Sequence, residues 1–290
     1  KLWKKNDIPP HILVMTATPI PRTLAMSLYG DLDISVIDEL PPGRKPIQTV
    51  HRYDSNRLKV WKFIKDEIAK GRQVYIIYPL IEESEKLSYE DLMQGYEQIK
   101  SYFPEPKYSI SMLHGKMPAE QKETNMKRFV DGVTQIMVST TVIEVGVNVP
   151  NASVMVIESA EKFGLSQLHQ LRGRVGRGSE KSYCILITGS KNSRDARERI
   201  NIMCTTDNGF IIAEKDLELR GPGDIEGTRQ SGALNFKIAS IVDDKDILEM
   251  ARFEAEEILT KDIELGSIEN LPIKKYLQSQ KGKTGWSKIS

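Results

Sequence analysis

The chain has 290 residues, with 41 lysines and arginines against 40 aspartates and glutamates, enough for about two domains and too evenly charged for a uniformly basic coat. Any nucleic-acid contact must therefore be a local patch. Two cysteines, Cys184 and Cys204, and four scattered histidines give no zinc-ligand spacing, and no apolar run approaches the ~18 residues that span a bilayer, so a cytoplasmic chain with no metal site and no membrane partner is expected.

In chain order, Ile12 to Met15 reads as a buried strand, with Thr16, Ala17 and Thr18 at its carboxyl end, where open α/β sheets place ligands or where the hydroxyls simply cap the strand. Pro19 and Pro21 stop it. A helix from Thr23 to Tyr29 and a strand from Asp33 to Leu40 follow, and Pro41 to Pro46 is a stiff linker. This first stretch reads as the end of a domain whose earlier part would precede Lys1.

From Ile47 to about Ser190, apolar strands and helices alternate in the manner of a parallel, doubly wound sheet. Strands are expected over Gln73 to Ile81, Tyr108 to Leu113, Gln135 to Ser139, Ala152 to Glu158 and Ser182 to Ile187. Between them lie helices from Asn56 to Ala69, around Leu92, Tyr96, Ile99 and Phe103, and from Pro118 to Asp131.

Three places in this stretch gather polar residues. His114, Gly115 and Lys116 put a ring donor, a bare amide and a cation at a strand's carboxyl end, which suits a phosphodiester; a lone histidine there also reads as a hydrogen-bonded structural residue. Thr140 and Thr141 end the next strand with hydroxyls able to hold phosphate, and Gly146 lets the following loop turn before Pro150 closes it. The segment QLHQLRGRVGR sets Gln170, Arg174 and Arg177 at i, i+4 and i+7 on one helical face, with Leu168, Leu171 and Val175 on an apolar stripe. Two guanidinium forks a turn apart suit a polyphosphate, against the plain alternative of solvated surface charges. Gly173 and Gly176 each cost a helix about 1 kcal/mol relative to alanine, so something is expected to approach the backbone there.

Beyond the lobe, Ser193 to Thr205 and Asn208 to Leu219 read as a helical hairpin, LRGPGDIEGTRQSG as an irregular loop, and Asp244 to Lys261 as an amphipathic helix. Ile247, Leu248, Ala251, Ala255, Ile258 and Leu259 would face a partner surface. The rest is expected to be a flexible, lysine-rich tail. Its KGKT, Lys281 to Thr284, is no phosphate cradle of the form GxxxxGK[ST], because Leu277 stands where the first glycine belongs.

QLRGRVGR resembles motif VI of superfamily 2 helicases and translocases, and STTVIEVGVNVP resembles their motif V. The segments TATPIPRTLAMSLYGDLDISVIDELPPGRKP, FGLSQLHQLRGRVGRG and LRGPGDIEGTRQSG are more specifically similar to the RecG family of ATP-dependent DNA translocases, over about Ile12 to Ala255. The resemblance implies a RecA-like lobe at 47–190, preceded over 1–46 by the end of a first such lobe and followed by a coupling region at 191–262 and the tail at 263–290. It assigns Arg174 and Arg177, with Gln170, to catalysis across a cleft, and Gly146 and Asn148 to the nucleotide, although aspartate is commoner at 148. His114, Gly115, Lys116, Thr140 and Thr141 would meet the DNA backbone. Thr16, Thr18, Arg22, Arg220, Arg229 and Gln230 would couple hydrolysis to movement. ATP and Mg²⁺ would be held mainly by the first RecA-like lobe, so this chain alone is expected to lack ATPase. The implied partners are branched or double-stranded DNA, that lobe and an N-terminal wedge domain of the same protein, and the implied role is remodelling of stalled forks and recombination intermediates in DNA repair. The motor of a transcription-repair coupling translocase and a nonenzymatic nucleic-acid-binding module are the alternatives.

Overall fold

The computed structural model describes residues 45–80, 85–140, 148–178, 180–220 and 244–280, with a few isolated positions before 45. They fall into two compact units that divide between Asp216 and Leu217. In the first unit, strands and helices alternate: β1 (Ile47–Tyr53), α1 (Arg57–Ala69), β2 (Gln73–Tyr78), α2 (Glu85–Tyr102), β3 (Ile110–Leu113), α3 (Ala119–Val130) and β4 (Ile136–Thr140). Next come β5 (Ala152–Ile157), α4 (Leu165–Arg172), β6 (Ser182–Thr188), α5 (Arg194–Thr205) and α6 (Gly209–Arg220), whose last turn crosses the division.

The six strands form one parallel sheet in the order β1-β6-β5-β2-β4-β3. QVYIIY, IMVST and ASVMVI are buried at every position, as strands covered on both faces must be. Val74, Ile76 and Tyr78 of β2 face one way, into a core with Val60, Trp61 and Ile64 of α1 and Leu92 and Ile99 of α2. Tyr75 faces the other way and packs its ring 4.8 Å from Phe129 of α3. Helices on both faces make the doubly wound, RecA-like layering. Ile64, Ile76, Ile77 and Leu92 are wholly inaccessible, and such side chains each contribute about 1.5–3 kcal/mol to stability.

Two local outcomes differ from the sequence expectation. β1 was not foreseen: IQTVHRY has no continuous apolar run and, among the described residues, lies at the sheet edge beside β6. The arginine helix ends at Arg172, so Gln170, Arg174 and Arg177 do not share one helical face. Arg174 and Val175 instead close tight turns back to the Leu171 and Arg172 carbonyls, and Gly176 turns left-handed at φ 75°. Leu168, Leu171 and Val175 are nonetheless all buried.

The second unit contains α7 (Lys245–Lys261) and α8 (Leu271–Gln280), the latter where a structureless tail was expected. The Asp262 carboxylate shapes the turn between them, accepting bonds from the Gly266 and Ser267 amides and the Asn270 side chain. Those donors, led by the Ser267 amide, hold its pKa far below the usual carboxylate range. On α7, Ile247, Ala251, Ala255 and Leu259 are exposed and Ile258 is half-buried.

Candidate functional site

Register sets three strand ends side by side. Leu113 of β3 pairs with Ser139 of β4, and Thr140 of β4 pairs with Tyr78 of β2, so His114 and Thr140 stand on adjacent carboxyl ends. Both are buried, at 9% and 3% exposure, and His114 Nδ1 and Thr140 Oγ1 have no hydrogen-bond partner among the described residues. An unsatisfied buried polar atom costs about 1–3 kcal/mol, so two on neighbouring strands mark a place suited to a polar ligand. The surroundings are cationic. Lys122 Nζ donates to the Gly115 carbonyl at 2.9 Å, and Lys116 Nζ lies 5.0 Å over the Tyr89 ring, whose edge meets His114 at 5.1 Å. Burial first, then Lys122 and Lys116, hold the His114 ring below its ordinary pKa, which keeps it neutral near pH 7. A Cβ on Gly115 would meet nothing within 4 Å, so packing inside the lobe does not demand glycine there. An open amide beside two orphaned polar atoms and two lysines can hold a phosphate-like anion.

The arginines lie at the opposite end of the sheet. A Cβ on Gly176 would stand 2.8 Å from Ile47 Cγ1 and 3.7 Å from Ser182 Cβ, and these residues start β1 and β6. A Cβ on Gly178 would stand 2.7 Å from the Pro150 carbonyl oxygen, just before β5. The loop after α4 therefore threads between strand starts. What approaches these glycines is the lobe's own backbone and Ile47, rather than a ligand. Asn148, exposed, belongs to the same amino-terminal end. Arg174 is half-buried and Arg177 exposed, and neither forms an ion pair with a described residue. Burial pushes the buried Tyr75 phenol up to about 12, with Arg177 and Arg174 opposing the rise. Gln170 is exposed on α4.

The expected residues thus separate into two groups, His114, Gly115, Lys116 and Thr140 at the carboxyl end and Asn148, Arg174 and Arg177 at the amino end. Arg220 closes α6. Thr16, Thr18, Arg22, Thr141, Gly146, Arg229 and Gln230 lie outside the described residues. Sequence reasoning missed three features. Glu158, at the end of β5 and 2% exposed, takes both Nη atoms of Arg57 at 2.6 and 2.9 Å, which holds Arg57 firmly ionised. Arg172, 3% exposed, sits four residues after Leu168 on the apolar stripe, and a charge on a buried stripe was a signal available in the sequence. Tyr89 left no such signal, because its partner His114 is distant in the chain.

The family model for the helicase conserved C-terminal domain matches residues 58–179, and that for the ATP-dependent DNA helicase RecG, domain 3, C-terminal, matches residues 206–290. The chain is 54% identical over 277 residues to the ATP-dependent DNA helicase RecG of Synechocystis sp., an alignment covering 94% of this chain and 33% of that protein. The chain belongs to the RecG family. The RecG of Aquifex aeolicus is 50% identical over 284 residues, covering 95% of this chain and 35% of that protein. A solved structure of RecG bound to a three-way DNA junction matches with a TM-score of 0.63 and 44% identity, over 80% of this chain and 30% of that one. The chain spans about a third of the length of the curated relatives it matches. Within it, the helicase-domain match ends at residue 179 and the RecG domain 3 match begins at Thr206, the residue that caps α5.

Proposed function

We propose that this chain supplies the second motor lobe and coupling region of a cytoplasmic, ATP-dependent double-stranded DNA helicase and translocase that acts on branched DNA, such as stalled replication forks and recombination intermediates. The observation that carries the reading is the pair of candidate sites at opposite ends of one sheet: unsatisfied buried polar atoms at the carboxyl end, and two arginines without ion-pair partners among the described residues at the amino end. At the carboxyl end, His114, Gly115, Lys116 and Thr140, with Thr141, hold backbone phosphates without reading sequence. At the amino end, Arg174 and Arg177 bring positive charge to phosphoryl oxygens, aided by Gln170, while Asn148 and Gly146 meet the nucleotide.

The Mg²⁺ that accompanies ATP in such enzymes is held by one or two protein carboxylates together with the nucleotide's phosphates, and it is assigned here to the other lobe. Its ligands, and the phosphate cradle, belong to a first RecA-like lobe of the same protein, with a wedge domain as the other intramolecular partner. The segments 47–190 and 191–262 then act as motor lobe and coupling region.

In the full-length enzyme, Arg174→Ala is expected to lower kcat for DNA-stimulated hydrolysis by about 10³- to 10⁵-fold while leaving ATP affinity nearly unchanged, and the chain by itself should hydrolyse no ATP. Steady-state turnover with and without forked DNA decides it. An unchanged kcat, or DNA-stimulated turnover by the isolated chain, would refute the assignment.

A further inference from the structure

Tyr89 opens the stripe that seats α2 on the sheet. Leu92, Tyr96 and Ile99 follow it at i+3, i+7 and i+10; Leu92 and Ile99 are wholly buried and Tyr96 packs against the same core. Because α2 begins beyond the carboxyl end of β2, its first turns bring Tyr89 to the turn after β3, where the ring meets two residues at once. Its centroid lies 5.1 Å from that of the His114 ring, with the planes 69° apart, and the Lys116 ammonium stands over it, 5.0 Å from the centroid. The two contacts differ in kind. His114 is buried at the end of β3, so the edge-to-face contact fixes how the Tyr89 ring is turned. Lys116 is exposed and forms no ion pair with a described residue, so the ring is what restrains its long stem. The backbone between them is fastened separately. The Met117 amide donates to the His114 carbonyl at 3.2 Å, and Lys122 Nζ donates to the Gly115 carbonyl at 2.9 Å. The turn therefore keeps its shape without Tyr89, and the Lys116 side chain is the part that depends on it.

We propose that Tyr89 is a positioning residue for DNA binding, whose ring, turned by His114, holds the Lys116 ammonium ready for a backbone phosphate. The inference rests on the DNA reading of the His114–Lys116 turn. A freely moving lysine gives up its rotamer freedom when it grips a phosphate. One already held over a ring has lost part of that freedom beforehand, so the same contact binds more tightly. An ammonium above a ring face also keeps the hydrogens on its far side for an anion. The tyrosine hydroxyl has no share in this, because the attraction comes from the quadrupole of the ring. A fixed ammonium suits a phosphate beside any base, so Tyr89 acts on grip and register rather than on sequence.

Binding of a forked DNA by the full-length enzyme, followed by fluorescence anisotropy across a salt series, tests this. Tyr89→Leu is expected to weaken binding at physiological salt about two- to fivefold, the range set by a cation–π contact at an exposed site, and Tyr89→Phe to match wild type. Lys116→Met keeps the stem and removes the charge, so the slope of log K against log salt should become shallower by about 0.9, the equivalent of one phosphate contact. In the Lys116→Met background, Tyr89→Leu should cost nothing further. A leucine that merely loosened α2 would still weaken binding there, so an undiminished loss in that background overturns the proposal. No loss in the Tyr89→Leu enzyme, or a Tyr89→Phe enzyme that binds as weakly as Tyr89→Leu, overturns it as well. An unchanged salt slope for Lys116→Met would instead refute the underlying assignment of this turn to DNA.

Discussion

Gly176→Ala tests the placement of the arginine loop most sharply, because two separable penalties meet at one atom. At φ 75°, alanine pays roughly 1–2 kcal/mol for a left-handed backbone. Its methyl group would also lie 2.8 Å from Ile47 Cγ1 and 3.1 Å from Cδ1, an overpacking that costs roughly 1–3 kcal/mol. Ile47 is only half-buried at the start of an edge strand and can yield somewhat, so a total of about 3 kcal/mol is expected. For a unit of this size that corresponds to a fall in melting temperature of about 6–12 °C. Ile47→Ala deletes both clashing atoms and leaves the backbone strain in place. In a double-mutant cycle read by urea denaturation, the pair should therefore recover about 1–2 kcal/mol relative to additivity, and no more. A loss below about 0.5 kcal/mol for Gly176→Ala, or strict additivity with Ile47→Ala, would show that the loop does not run between the strand starts.

Gly95 lies inside α2, where helix propensity alone says alanine should stabilise by about 1 kcal/mol; a Cβ there would collide with the Tyr78 hydroxyl and ring, so Gly95→Ala should destabilise by at least about 2 kcal/mol in urea, and a stabilised variant would refute the packing of Tyr78 on α2. His114 and His51 both titrate below the ordinary histidine value, chiefly through burial, with Lys122 and Lys116 beside the first and Arg52, opposed by Glu161, beside the second. The unfolded chain therefore takes up protons first as pH falls. Stability should be level above about pH 6.5 and decline below it, and His114→Asn should flatten part of that decline in urea midpoints measured across the range; an unaltered slope would count against a buried neutral His114.

The layered parallel sheet was legible because its central strands are uninterrupted apolar runs, and helix ends such as Ala69, Thr205 and Lys261 were legible because glycine, capping and charge patterns are local. β1 was not. Its evidence is a pairing with β6 across most of the unit, and IQTVHRY alone resembles a polar loop. The arginine helix shows a subtler failure. The apolar period through Leu168, Leu171 and Val175 correctly reports which side chains are buried, yet a tight turn after Gly173 keeps Val175 inward as well as another turn of helix would have done. Periodicity encodes burial, and burial does not by itself fix the backbone. Arg172 was passed over for a related reason, since the arginines spaced for a polyphosphate drew the functional reading while the one on the apolar stripe makes the structural joint.

The separation of the two candidate sites limits how they can influence each other. A strand of six residues such as β2 is about 20 Å long, about twice the distance over which exposed charges interact at physiological ionic strength. On the proposed reading, charge at Arg174 and Arg177 is therefore screened from phosphates held near His114 and Thr140, and any communication between the two sites has to be mechanical. The sheet itself, close-packed on both faces at every position of β2, β4 and β5, is stiff and moves as a block, so its two ends do not shift relative to each other. α4 is the better one. It starts after the carboxyl end of β5 and delivers the chain to the strand starts, about 12 Å over its eight residues, and it is bonded to α6 by Ser166 at one end and to the end of α5 by Arg172 at the other. Because the loop after α4 is itself packed on the strand starts, a displacement along that axis has to carry the loop, α4 and its bonds to α5 and α6 together.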